Sequence, residues 1–324
     1  MNDQIYIHRY TLKSGGGLNS RSHALTHEGV LIRIDKNGDS GYACLHPWEE
    51  LGDLSLDTLL KQLSEGRGSR QLNCAIDCAD VDRKARQDGV SLFDSLNIPL
   101  SHATIVGGLD KIESAVDAGF DTVKLKMGKD VESNILFLNN INKEFPSLSI
   151  RIDFNGVSGF GALDKMLGEV GKEVHDKIDF IEDPFPRGDD RWMVLRDKYG
   201  VQIGIDRGIE KAEGKFDIAV VKPAINDTVK ICEAAQLAGR SVVITSYMDH
   251  PVGQRYAAFC AAKLNSQYLG LVNSRCGLVT HGLYESDEFI ERAGRVAPEL
   301  FVEPCSTGLG FDDLLEKVNW KKLL

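Results

Sequence analysis

From residue 103 onward, short β-rich apolar runs alternate with stretches whose apolar residues return at helical spacing. The runs are ATIVGG (103–108), TVKLKM (122–127), SIRIDF (149–154), IDFIED (178–183), VQIGID (201–206), IAVVKP (218–223), VVITSY (242–247) and YLGLVN (268–273). Helical stretches such as DKIESAVDAG and VKICEAAQLAG lie between them. The alternation predicts parallel β/α units, and eight such strands are what closes a barrel. The unit between Asp206 and Lys222 has room for no more than a stub of helix. An open doubly wound sheet is the alternative, but no G-x-G-x-x-G fingerprint opens any unit.

The first hundred residues follow a different rhythm. Residues 4–11 and 29–35 read as strands around a polar, glycine-rich stretch (13–28) that predicts a mobile loop. Residues 55–88 carry apolar positions at helical spacing, so this region predicts a two-strand, two-helix α+β domain. The expected boundaries are 1–98 for this domain and 99–295 for the barrel, with 296–324 returning to the first domain.

Polar residues at the C-terminal ends of barrel strands converge on one mouth. Strand after strand supplies them here: Lys124 and Lys126, then Arg151, Asp153 and Asn155, then Glu182, Asp206 and Lys222, and last Thr245 and Ser246. Side chains alternate along a strand, so Lys124 and Lys126 face the interior together while Val123 and Leu125 face the helices. Asp153, Glu182 and Asp206 end three neighbouring strands, about 5 Å apart. Carboxylates so close resist ionising together, and a divalent metal resolves the conflict. An all-oxygen set suits Mg²⁺ or Mn²⁺ better than zinc. A single Lys/Glu pair inside a barrel is usually a core network; six ionisable groups at one end of five consecutive strands are not explained that way. Arg151, deeper than Asp153, reads as a partner orienting the carboxylates. Asn155 is either a contact in the site or a turn residue. The histidines, His250 and His281 among them, show no metal spacing.

Composition narrows the functions. A net charge of -10 disfavours nucleic acid, which wants a basic footprint. No apolar run is long enough to span a bilayer, so no membrane partner is expected. The N-terminal segment shows no secretory pattern, and the cytoplasm is the expected compartment. The cysteines are scattered without a C-x-x-C pair, against a disulfide framework. Oligomeric state is not legible.

A lysine is a base only when neutral, and a second cation beside it favours the neutral form. Lys124 is thus the neighbour that tunes Lys126, and Lys222 approaches a bound substrate from the other face. With a metal to stabilise the developing charge, this set suits removal of a proton α to a carboxylate.

The ordered motifs K-x-K, RIDFN, FIEDP, GID and VVKP resemble those of the enolase superfamily, specifically its muconate-lactonizing-enzyme-like subgroup. The resemblance implies a (β/α)7β TIM-like barrel with an α+β capping domain. It implies Mg²⁺ on Asp153, Glu182 and Asp206, Lys126 as base, Lys222 holding the enediolate, and a small carboxylate substrate. Lys124 joins the catalytic set, and Asn155, Thr245 and Ser246 are the expected substrate contacts. It also implies that the loop near 13–22 closes over the substrate. Within the subgroup the strands are similar to those of a menaquinone-pathway dehydratase acting on a hydroxylated succinyl-cyclohexadiene carboxylate. Two departures stand out: Arg207 follows Asp206 where the family usually has glutamate, and TSYMDHPVGQ offers Asp249 and His250 where a serine-rich, glutamate-bearing segment is common. Dipeptide epimerases, N-acylamino acid racemases and muconate cycloisomerases share the same lysines and ligands. A metal-free Schiff-base aldolase and a non-catalytic scaffold are the readings outside the family.

Overall fold

Asn37 and Gly38 both adopt positive φ (56° and 95°), the conformation of the two-residue turn that matches strand twist. They join β2 (Thr26–Lys36) to β3 (Asp39–Leu45), with Lys36 opposite Asp39. The computed structural model describes residues 3–18, 24–186, 189–209, 212 and 215–324. β1 (Gln4–Lys13) pairs antiparallel with β2, and β13 (Lys321–Lys322) pairs antiparallel with β1, so the last strand of the chain completes the first sheet. The sequence pattern predicts two strands here and misses β3, whose Gly41, Ala43 and Cys44 carry little strand propensity. Two helices, α1 (Leu56–Ser64) and α2 (Arg70–Gln87), follow, each started by a serine side chain accepting from a backbone N–H. Gly41 lets α2 approach β3, because a Cβ there would lie 1.9 Å from the Ala79 carbonyl oxygen.

The barrel strands are β4 (Leu100–Ser101), β5 (Ala103–Ile105), β6 (Thr122–Lys126), β7 (Ser149–Asp153), β8 (Ile178–Glu182), β9 (Ile203–Ile205), β10 (Ile218–Val221), β11 (Ser241–Ile244) and β12 (Arg275–Cys276). β5 to β11 form one parallel sheet in chain order. The ring closes through residues 271–277: Val272 bridges Val242, Gly277 bridges Thr245, and β12 pairs in parallel with β4. Helices α3 (Leu109–Asp117), α4 (Val131–Glu144), α5 (Phe160–Glu169), α6 (Lys172–His175), α7 (Arg191–Tyr199), α8 (Thr228–Leu237) and α9 (Pro251–Gln267) cover the outside. Strands covered on both faces read as continuous apolar runs, as in IAVV of β10. Phe180, Ile218, Val220 and Val243 fill the interior, and Arg151 is buried beneath the mouth, bonded to Asp179, His102 and Asn273.

The first domain is seated over the barrel mouth by an apolar cluster of Leu12, Leu18 and Trp48 with Tyr247, Tyr284 and Ile290. Of the glycine-rich stretch that the sequence predicts to be mobile, residues 19–23 lie outside the described residues. Its described start is anchored: Glu285 N–H donates to the Lys13 carbonyl at 2.7 Å, and Leu18 is buried. Among the described residues no helix is long and apolar enough to cross a membrane.

Candidate active site

Register brings the charged strand ends together. Lys126 of β6 is the Cα partner of Asp153 on β7, and Asp153 that of Glu182 on β8. Glu182 pairs with Gly204, so Asp206 stands just beyond on the next strand. Gly204 leaves room for Phe180, whose ring would be 2.7 Å from a Cβ at that position. Lys222 follows β10, and the adjacent Thr245 N–H donates to the Val221 carbonyl at 2.9 Å.

The side chains form a tight ionic cluster. Lys124 Nζ donates to both Glu182 oxygens at 2.7 Å and lies 3.0 Å from Asp153 Oδ2. Lys126 Nζ donates to the same Asp153 oxygen at 2.9 Å, and Lys222 pairs with Asp206 Oδ2. The other Asp153 oxygen accepts from the backbone N–H and the amide of Asn155, each at 2.9 Å. Asn155 has φ 49° and Asp183 φ 42°, so two residues next to the proposed ligand positions adopt the left-handed conformation that side chains with β-carbons rarely take.

Burial sets the electrostatics. It works against ionisation at all three carboxylates, but Lys124 and Lys126 outweigh it at Asp153, which is held low, and Lys222 and Lys124 do the same at Asp206. At Glu182 burial and the negative charge of Asp153 prevail over Lys124, and its carboxyl is raised. Lys124 is pushed down by burial and pulled up further by Asp153, Glu182 and Asp206, so it stays an ammonium.

Among the described residues no three His, Cys, Asp or Glu side chains already converge as a metal-binding group, and Lys124 Nζ is bonded to both Asp153 and Glu182. The donors nonetheless fit a hard divalent cation. They are all oxygen, they end three adjacent strands, and the buried Oδ1 of Asp206 has no hydrogen-bond partner among the described residues.

Of the expected substrate contacts, Asn155 lines the mouth but is engaged with Asp153. Thr245 is buried beside Lys222 with a hydroxyl that has no hydrogen-bond partner among the described residues. The structure does not bring Ser246 to the same face: its hydroxyl meets Thr280 at 2.7 Å and accepts from Met248 N–H at 3.3 Å. Asp249 and His250 turn toward the first domain, where the His250 ring meets Tyr10 at 4.7 Å. Two cavities flank the ionic cluster. One of about 220 Å³ is lined by Gly17, Val106, Lys126 and Phe137; the other, about 350 Å³, by Leu51, Asn155, Asp183, Asp206 and Arg207.

Sequence reasoning misses Tyr247 and Asp53. The Lys222 ammonium lies 6.0 Å from the Tyr247 ring centre, and the Tyr247 hydroxyl donates to Asp53 at 2.7 Å. Nothing in the local pattern around either residue signals a pairing across 194 positions.

Residues 5–85 match the family described as O-succinylbenzoate synthase, N-terminal domain, and residues 109–312 match Enolase C-terminal domain-like. The chain is 34% identical over 328 residues to the o-succinylbenzoate synthase of Bdellovibrio bacteriovorus, covering 97% of each. It is 22% identical over 289 residues to that of Edwardsiella ictaluri, covering 81% of this chain and 87% of that one. Among solved structures, the N-succinyl Arg/Lys racemase of Bacillus cereus superposes with a TM-score of 0.79 at 16% identity, covering 98% of each chain.

Proposed function

The chain belongs to the enolase superfamily, and on that premise we propose that it is an o-succinylbenzoate synthase. Its substrate is then 2-succinyl-6-hydroxy-2,4-cyclohexadiene-1-carboxylate, in menaquinone biosynthesis and in the cytoplasm. The observation that carries the reading is the meeting of Lys124, Lys126 and Lys222 with Asp153, Glu182 and Asp206 in one barrel mouth. The 34% identity to a synthase along nearly the whole chain supports this substrate.

Lys126, neutral and released from Asp153, takes the proton from the carbon that bears the carboxylate. The electron pair of that C–H bond rests first in the enediolate so formed, and passes into the ring when the C–O bond to the hydroxyl breaks. Lys126 then returns the proton to the departing oxygen on the same face, water leaves, and the ring becomes aromatic. Both proton transfers through one ammonium make this a syn elimination. Lys222, against the Tyr247 ring, holds the negative charge of the intermediate from the opposite face. Asp153, Glu182 and Asp206 would hold a divalent cation, Mg²⁺ or Mn²⁺, which when bound would stabilise the second negative charge developed on the carboxylate. Lys124 and Asn155 keep Asp153 and Glu182 oriented.

The test is loss of the diene's ultraviolet absorbance with purified protein and Mg²⁺, beside Lys126→Ala and an EDTA control. Loss that requires both establishes the dehydratase. A second reading, racemisation of an N-acylamino acid, is favoured by Lys126 and Lys222 standing four strands apart around the ring, one for each face of a substrate carbon. Uptake of solvent deuterium at the α-carbon of N-succinylamino acids, without diene loss, would select it.

A further inference from the structure

Arg207 occupies the position after a proposed metal ligand, and its guanidinium reaches away from the metal side into the first domain. Nη1 donates to the Leu51 carbonyl at 2.8 Å and to Asp53 Oδ1 at 3.2 Å, while Nη2 donates to the Tyr247 hydroxyl. Asp53 is a hub of its own: its Oδ2 accepts from Trp48 N–H at 2.8 Å, from the Gln71 amide at 3.0 Å and from the Tyr247 hydroxyl at 2.7 Å. Trp48 closes the circuit, its indole N–H donating to the Tyr247 carbonyl at 2.8 Å. Two cations therefore adjoin the Tyr247 ring, Arg207 5.5 Å and Lys222 6.0 Å from its centre.

We propose that Arg207, Asp53 and Tyr247 form an interdomain latch that pins the turn 48–53 over the Lys222 side of the mouth, making Arg207 a positioning residue for Lys222. Arg207 and Asp53 are only 20% and 9% exposed, so the pair is sheltered from the screening that weakens surface ion pairs. A planar guanidinium can serve Leu51, Asp53 and Tyr247 at once, which the glutamate usual at this position cannot, because two carboxylates would face each other. The consequence is a mouth pinned beside Lys222, where the latch ties the turn 48–53 to the residues that follow β9 and β11. The inference rests on reading this mouth as the active site, but its test needs no substrate.

Limiting acetic anhydride is applied to the wild type and to Arg207→Met, Asp53→Asn and the double variant, and acetylation of Lys222 and Lys126 is followed by mass spectrometry. The latch predicts that each single variant raises the Lys222 rate roughly fivefold and leaves Lys126 nearly unchanged, with no further gain in the double variant because the two residues act as one unit. Backbone hydrogen exchange in 48–53 rises in the same variants. Should Arg207→Met fail to fold, Asp53→Asn and Tyr247→Phe carry the comparison. An unchanged Lys222 rate, an equal rise at both lysines, or additive effects in the double variant would each overturn the latch. A protein inactive on the diene still returns one of these answers, so loss of the proposed function and loss of the latch are told apart.

Discussion

Lys124 and Lys126 meet on a single oxygen, Oδ2 of Asp153, at 3.0 and 2.9 Å. Lys124 is further bound to both oxygens of Glu182, so of the two it is the one committed to the carboxylates. Lys126 has one such contact and lines a cavity, as a group that must exchange a proton with substrate requires.

Lys126→Ala is expected to lower kcat for the dehydration by about 10³-fold, within the span of general acid–base contributions. Lys222→Ala, which removes charge stabilisation but not the proton carrier, should retain measurable turnover. Single-turnover absorbance traces with Mg²⁺ saturating compare the two.

Removing Lys124 leaves Asp153 and Glu182 buried without their shared counter-charge, a loss of about 3 kcal/mol or more when one partner of a buried pair is deleted. Lys124→Ala should therefore melt earlier in EDTA, and added Mg²⁺ should raise its melting temperature more than that of the wild type. At about 100 times its dissociation constant the cation contributes about 2.7 kcal/mol. Asp206→Asn should abolish most of the Mg²⁺ response. Calorimetry with and without Mg²⁺ decides, and equal shifts in all three proteins would sink the cation assignment.

Asp249 is buried with one oxygen unpartnered among the described residues, and burial pushes its carboxyl up to about 7. The folded protein holds this proton more tightly than the unfolded chain, whose carboxyl titrates near its ordinary value. The associated stability is present in full below that ordinary value and is lost as pH rises to about 7. Burial lowers His46 and His250 to about 3, and they act with the opposite sign below about 6.5. The difference between Asp249→Asn and wild type isolates the acid. The amide should be more stable by up to about 4 kcal/mol at pH 8, with the gain shrinking toward pH 4. Urea unfolding across that range measures it.

Asp82 is fully buried and binds three elements together: Tyr42 N–H of β3 at 2.9 Å, Leu309 N–H of the returning C-terminal segment at 2.6 Å, and Arg86 at 2.7 Å. Asp82→Ala strands these donors and should cost about 3 kcal/mol or more. The loss should appear as an earlier melting transition with increased hydrogen exchange in 303–324 as well as in β3.

The chain's own pattern determined the barrel. Strands covered on both faces must be apolar throughout, so charged residues inside such strands announce themselves, and Lys124, Lys126, Asp153, Glu182, Asp206 and Lys222 were legible as one set for that reason. The third strand of the first sheet was not, because small residues let α2 lie on it at the expense of strand propensity; only Asn37-Gly38 marked it. What the tertiary structure alone decided is which partner each charge takes. The contacts of Arg207 with Asp53 and of Tyr247 with Asp53 join residues 154 and 194 positions apart, and the turn of Ser246 toward Thr280 depends on how β11 closes against the segment 271–277. Sequence periodicity assigns a side chain to a face of its own strand; it carries no information about a donor on another domain, since that distance is set by how the two cores dock.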